Sequence, residues 1–202
     1  MPAKEGRYHH GDLKTALVDA AIEVIAERGV RGFSLAEASR RLGVTTAAPY
    51  RHFADRDALL AAVAARGLNL FADMLAEAAP AGDAPARRLA AMAGVYVRFA
   101  ARQRPFFDAI FNSGLDKSRY PEVRLACDAV DAQLAIVIEV CDGDEVAAEA
   151  LGDAVEASAH GYAMLLIDGE YGDGADAVEV TAAKAGAAAQ ALIAGRQALL
   201  AA

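Results

Sequence analysis

The 202-residue chain has no tryptophan, only two cysteines and an aromatic content of 6%. So few thiols exclude a disulfide-stapled fold. Cys127 and Cys141 read as lying on one helix, about 21 Å apart at 1.5 Å rise per residue and too far to bridge, so both read as buried apolar thiols rather than redox sensors. No uncharged run approaches the ~18 residues a membrane helix needs, and the longest candidates, 157–167 and 185–195, contain polar residues; no membrane span is expected. The N-terminus carries neither the apolar run nor the small-residue cleavage site of a secretory signal, which points to the cytoplasm. Period-two alternation is scarce as well, which argues against strands.

What remains is a chain that is 55% apolar and 24% charged, outside the range of disordered sequences. Its net charge of −8 argues at first against a polyanionic partner. The distribution reverses that argument. Residues 1–56 hold 9 Lys and Arg against 7 Asp and Glu, whereas 57–202 hold 11 against 21, so the acidity belongs to the second part. Arg outnumbers Lys 16 to 4, a bias that GC-rich coding would also produce, and it receives no functional weight.

Apolar residues recur at spacings of three and four almost throughout, so an all-α fold is expected. Leu13, Leu17, Ala21, Val24 and Ile25 share one face of a first helix at about 10–28, closed by Gly29. Ser34 and Glu37 have the spacing of a capping box, which starts a second helix running to about Leu42. Gly43-Val44 makes a tight turn, and Thr45 offers a cap for a third helix from Thr46 to Phe53. Pro49 removes one donor near its start, which leaves that helix bent or partly 3₁₀. Asp55 caps a long helix at about 56–79. Further helices are expected at about 86–103, 105–113, 119–142, 144–167 and 176–200, broken by Pro- and Gly-containing segments. The expected organisation is a three-helix helix-turn-helix domain at 1–56 and a helical-bundle domain at 57–202.

Two short helices joined by Gly43-Val44 have helix-turn-helix proportions. A helix entering a major groove about 12 Å wide must present small or polar residues at its N-terminus, as Thr45, Thr46, Ala47 and Ala48 do. Tyr50, Arg51 and His52 follow, each able to donate to phosphate oxygens, while Phe53 is assigned to the core. Arg56, in the first turn of the next helix, adds its charge to backbone amides pointing the same way, a phosphate clamp. Arg7, His9 and His10 form an arm that either tracks the DNA backbone or is merely solvated chain.

The stretch from Ala20 to Leu60, including Phe33-Ser34-Leu35 and the run from Gly43 through Tyr50-Arg51-His52-Phe53, resembles the tetracycline-repressor family over about residues 12–62. That resemblance implies an all-helical homodimer whose variable C-terminal domain binds a small molecule and repositions two DNA-reading heads. It also places Thr45, Thr46, Ala47 and Arg51 near base edges, and Tyr50, His52 and Arg56 on phosphates. The family usually has Lys where this chain has Arg56, a change that keeps the charge and alters the hydrogen-bond geometry. The segment 159–169, with His160 and Gly161, resembles a C-terminal subfamily with a Trp, His and Gly signature, although the Trp is absent.

In the second domain Phe71, Met74, Met92, Tyr96, Phe99, Phe107, Phe111, His160 and Met164 either line an effector pocket or pack as helical core. His160, next to Gly161, is either a ligand or pH contact or a satisfied core histidine. The last two helices carry Ala182, Ala183, Ala185, Ala187, Ala188 and Ala189 with Val178, Leu192, Ile193 and Leu199. In the family the corresponding helices form a dimeric four-helix bundle; a helix buried within one chain is the competing explanation. No metal or cofactor is expected, since no Cys, His or carboxylate group falls at ligand spacing. Two rivals remain: a regulator without effector whose second domain only dimerises or docks a protein, and an α-helical enzyme using His160 with Ser158 or Asp168.

Overall fold

A computed structural model describes residues 10–78 and 82–200. Among them the regular structure is helical, in two compact units. The first comprises the chain up to Arg66 together with 105–124, and the second 67–104 with the remainder from Leu125. The division therefore differs from the expected boundary at 56/57: the first unit keeps the opening turns of the long helix and takes back a segment from much later in the chain.

In the first unit, α1 (His10–Arg28) buries Leu17, Ala21, Val24 and Ile25. Gly29 at φ 69° ends it, a left-handed value that suits glycine, and its amide donates to the Ile25 carbonyl at 2.8 Å. A 3₁₀ turn, Val30–Gly32, leads to α2 (Leu35–Leu42). Its N-cap is Ser34, whose hydroxyl accepts from the Glu37 amide at 3.2 Å. At its other end Gly43 (φ 67°) donates to the Arg40 carbonyl while the Val44 amide donates to that of Ser39, the paired bonds of a Schellman ending. The long helix α3 (Arg56–Ala78) starts with the Asp55 carboxylate accepting from the Ala58 amide at 2.8 Å. By length and composition α3 could cross a membrane, but 61% of that stretch is buried inside the structure, and packing accounts for its apolarity. The returning segment brings most of α5 (Arg104–Phe111), a 3₁₀ turn at Lys117–Arg119 and the start of α6 (Pro121–Leu134). It adds Phe106, Phe107 and Ile110 to the buried apolar residues.

In the second unit α4 (Pro85–Arg102) is covered on nearly every side, with Leu89, Met92, Val95, Val97 and Phe99 buried. It packs against α9 (Gly174–Ala194), α8 (Glu145–Ile167) and α7 (Ile136–Val140). Glycine at two places lets α4 and α9 approach. A Cβ at Gly94 would stand 3.1 Å from the Ala182 carbonyl oxygen, and one at Gly186 would stand 3.3 Å from that of Ala90. Arg98 and Arg102 on α4 both hold Glu179 on α9, the former with two nitrogens. The single helix expected at 119–142 is instead α6 and α7, broken at Ala135. Val123, Ala126 and Val130 form a buried stripe that resumes only at Ile136 and Val140, a jump in phase that one straight helix cannot follow. Cys127 is half-buried on α6, and Cys141 is buried just past α7. Loss of water holds the Cys141 thiol above its ordinary value, with Arg196 opposing.

Candidate nucleic-acid interface

Between α2 and α3 the third helix, expected to be bent or partly 3₁₀, is reduced to a 3₁₀ turn with no α-helical run. Residues 46–48 are a turn, and Pro49–Arg51 is a single 3₁₀ turn. The physical reason is Pro49. With no amide proton it cannot donate to the Thr45 carbonyl, which accepts instead from Ala48 at 3.0 Å, an i to i+3 bond. The Arg51 amide then donates to Ala48 at 3.3 Å and that of His52 to Pro49 at 2.9 Å, continuing the tighter spiral. An α-type bond returns only at Phe53, which donates to Pro49.

The spiral sorts its side chains by face. Pro49 and Phe53 are buried, with the Lys14 ammonium 5.9 Å from the Phe53 ring centre. Thr45, Thr46, Ala47, Tyr50 and Arg51 are exposed, and Ala48 and His52 are half-buried. Tyr50 leaves 61% of its surface in water, with ring and hydroxyl open to a partner.

Most neighbouring arginines are occupied. Arg28 and Arg40 pair with Glu37, and Arg41 pairs with both Glu23 and Glu27, bolting α2 onto α1. Arg66 pairs with Asp19. These contacts alter the expected capping box: Ser34 does its part, but the Glu37 carboxylate turns to arginine rather than to the Ser34 amide. Hydrogen bonding from Arg40, aided by the charge of Arg28, holds the Glu37 carboxyl below the usual carboxylate range, and Arg41 does the same for Glu27. Among the described residues, by contrast, no hydrogen bond or ion pair engages the Arg51 side chain.

Arg56, expected on a phosphate, is half-buried, and its nitrogens bond to oxygens of this chain. Its Nη2 donates to the Val30 carbonyl at 2.7 Å, its Nε to the Phe33 carbonyl at 3.1 Å and its Nη1 to the Asp57 carboxylate at 3.1 Å. The guanidinium carbon lies 5.4 Å from the centre of the Phe33 ring. Arg7 and His9 of the expected arm, and the His10 side chain, lie outside the described residues.

The aromatic residues expected around an effector divide between the units. Phe71, Tyr96, Phe99 and His160 meet in the second. Phe71 contacts Tyr96 edge-on at 5.6 Å and Phe99 at 4.8 Å, and the Tyr96 hydroxyl lies 2.8 Å from His160 Nδ1. Met92 is buried there, whereas Met74 and Met164 are half-buried. Burial, with the Glu156 charge adding to it, drives the Tyr96 phenol well above its ordinary value, so it stays a neutral hydroxyl. Phe107 and Phe111 belong to the first unit, where their rings pair at 4.9 Å. The returning segment, with Lys117 against Phe111 at 5.0 Å, is what sequence reasoning missed. No local signal marked it, because Phe106, Phe107 and Phe111 read equally well as core of either unit. A Cβ at Gly161 would meet nothing within 4 Å, so among the described residues no element packs closely against it.

Residues 17–63 match the family described as bacterial regulatory proteins, tetR family, and residues 89–189 match the tetracyclin repressor-like C-terminal domain. The "Uncharacterized HTH-type transcriptional regulator YobS" of Bacillus subtilis (strain 168) is 32% identical over 101 residues, 50% of this chain and 52% of that protein, so the match spans about half its length. Among solved structures, a protein with unknown function from Rhodococcus sp. RHA1 is 31% identical with a TM-score of 0.70, covering 93% of this chain and 98% of that one. A TetR-like transcriptional regulator from the same source is similar in fold, at 18% identity and a TM-score of 0.69 over 94% of this chain and 100% of that chain. With its head and its C-terminal region both matched, the chain belongs to the tetracycline-repressor family and is a DNA-binding transcriptional regulator, not an enzyme built on His160.

Proposed function

We propose that this regulator is a cytoplasmic repressor that binds a roughly palindromic operator as a homodimer and releases it when a small molecule occupies the second domain. The observation that carries the DNA-facing part is the exposed run from Thr45 to Arg51, with Tyr50 bare and no internal partner for the Arg51 side chain among the described residues. On this reading Thr45, Thr46, Ala47, Ala48 and Arg51 approach base edges, and Tyr50 and His52 donate to phosphates. Two such surfaces must stand about 34–36 Å apart to enter successive major grooves, so the effector acts by changing their spacing. It can do so only through its differential affinity for two arrangements of the dimer, typically ~1–3 kcal/mol of coupling. Phe71, Met92, Tyr96, Phe99, His160, Met74 and Met164 are the proposed effector contacts, all within the second unit.

One observation favours a second reading, a regulator that needs no effector. Phe71, Tyr96 and Phe99 are almost entirely buried against one another, as core residues are. Fluorescence anisotropy against DNA from the chain's own flanking intergenic region, or recovered by random-sequence selection, tests the DNA part. Nanomolar, salt-sensitive binding that Arg51→Ala weakens at least tenfold is expected; equal affinity for random DNA would defeat it. A search of small apolar compounds that leaves operator affinity within twofold would favour the effector-free form.

A further inference from the structure

We infer that Arg56 is a positioning residue for DNA recognition, a buckle across the base of the reading turn, and not a phosphate ligand. The inference rests on the DNA-binding reading and refines it. Arg56 opens α3, while the two carbonyls it holds, those of Val30 and Phe33, lie at either end of the turn between α1 and α2. The residues proposed to face DNA, which fall between Thr45 and His52, are strung between these anchors. A side chain that joins 33 to 56 therefore closes the loop containing the reading turn and restricts the directions in which α2 and the turn can lean.

The chemistry of the contacts suits that task. Each of the three guanidinium nitrogens donates to a protein oxygen, and the plane rests near the Phe33 ring, so position and tilt are both set. The Phe33 residue comes just before the Ser34 cap, so its carbonyl precedes the helical ladder and receives the arginine Nε. The Val30 carbonyl takes a weak 3.3 Å bond from the Phe33 amide and a much shorter one from Arg56. A lysine cannot substitute. Its ammonium is a compact point charge without a planar fork, so it cannot reproduce three donors in fixed directions together with a flat face against the ring.

The test compares full-length wild type with Arg56→Lys, Arg56→Gln and Phe33→Leu on operator DNA obtained by random-sequence selection with the wild-type protein. Affinity is measured at several salt concentrations, below the melting temperature of every variant as followed by circular dichroism. If wild type itself selects no sequence, the DNA-binding reading fails, and Arg56 is not the cause. Given wild-type binding, Arg56→Lys is expected to lose at least fivefold despite its retained charge, and Arg56→Gln about as much. Both should keep the wild-type slope of log affinity against log salt. Wild-type affinity in Arg56→Lys, with a slope reduced by about 0.9 per subunit in Arg56→Gln, would make the residue a phosphate ligand and overturn the inference. Variants that melt earlier but bind like wild type while folded would overturn it too, leaving Arg56 a purely stabilising residue. Should both Arg56 variants fail to fold, Phe33→Leu decides: it leaves Arg56 in place and removes the ring, so weaker binding at an unchanged slope is expected and unchanged binding refutes.

Discussion

At the scale of single residues, Glu37 illustrates how local grammar is overruled by neighbours. Its spacing from Ser34 was readable as a capping box, and the Ser34 half forms. The other half is lost because Arg40 stands three residues on and Arg28 reaches across from α1, and a charged partner outbids a backbone amide. Sequence spacing within α2 could not reveal Arg28, because its nearness depends on how α1 packs. The carboxyl of Glu37 is depressed by these arginines, so its contribution to stability is fully present above its ordinary value of 4.5 and is lost as pH falls through the lower folded value. Glu37→Gln should therefore lower the melting temperature at pH 7, with the gap to wild type closing as the pH drops below about 4.5. A gap that stays constant from pH 7 to pH 3 would exclude the ion pairs as its source. Ser34→Ala should cost about 1 kcal/mol at either pH, because a hydroxyl cap does not titrate in this range.

Among helices, most boundaries were legible to within a few residues, because the caps and glycines that set them are local: Ser34, Gly29, Gly43, Asp55 and Asp144 all stand where the chain starts or stops a helix. The failures have a different origin. Nothing at Ala135 looks like a stop, since neither glycine nor proline is near; the break comes from the phase of burial, a property of the packed unit. Pro49 was visible as a disturbance, but the extent to which it replaces an α-helix with a 3₁₀ spiral depends on every succeeding bond. Packing also decides the meaning of helical glycines. Gly94 stands against α9, so Gly94→Ala should lower the melting temperature despite a gain of about 1 kcal/mol in helix propensity. Gly152 in α8 has open space at its Cβ, so Gly152→Ala should raise it. Equal effects of the two substitutions would show that the α4 and α9 contact is looser than described.

For the whole molecule, the opposed halves of the charge distribution and the small residues of the last helices were both legible, but the use of the latter was not. The alanines of α9 serve two faces. Ala182, Ala185 and Ala189 are buried in the chain, while Val180, Ala183, Ala187, Ala191 and Ala194 form an exposed stripe at helical spacing. On α8, Ala157, Gly161 and Leu165 form another. Such faces suit the close crossing of partner helices proposed for the dimer. Ala187→Arg is expected to yield a folded monomer by light scattering and to lower operator affinity at least tenfold; a dimer of unchanged affinity would place the interface elsewhere. The 56/57 boundary was drawn from local pattern, and the return of 105–124 to the first unit is a long-range event that no local pattern records.

The reading turn has a consequence for how such a regulator changes over generations. Its path is held by Pro49, Phe53 and the Gly43 ending, none of which faces the nucleic acid in the proposed binding mode, while no described side-chain hydrogen bond ties Thr45, Thr46, Tyr50 or Arg51 to the fold. Scaffold and text are thus written in different residues. Exchanging the exposed letters costs the fold little, so a duplicated copy of this chain can acquire a new genomic address through a few point changes while every supporting contact stays as it is.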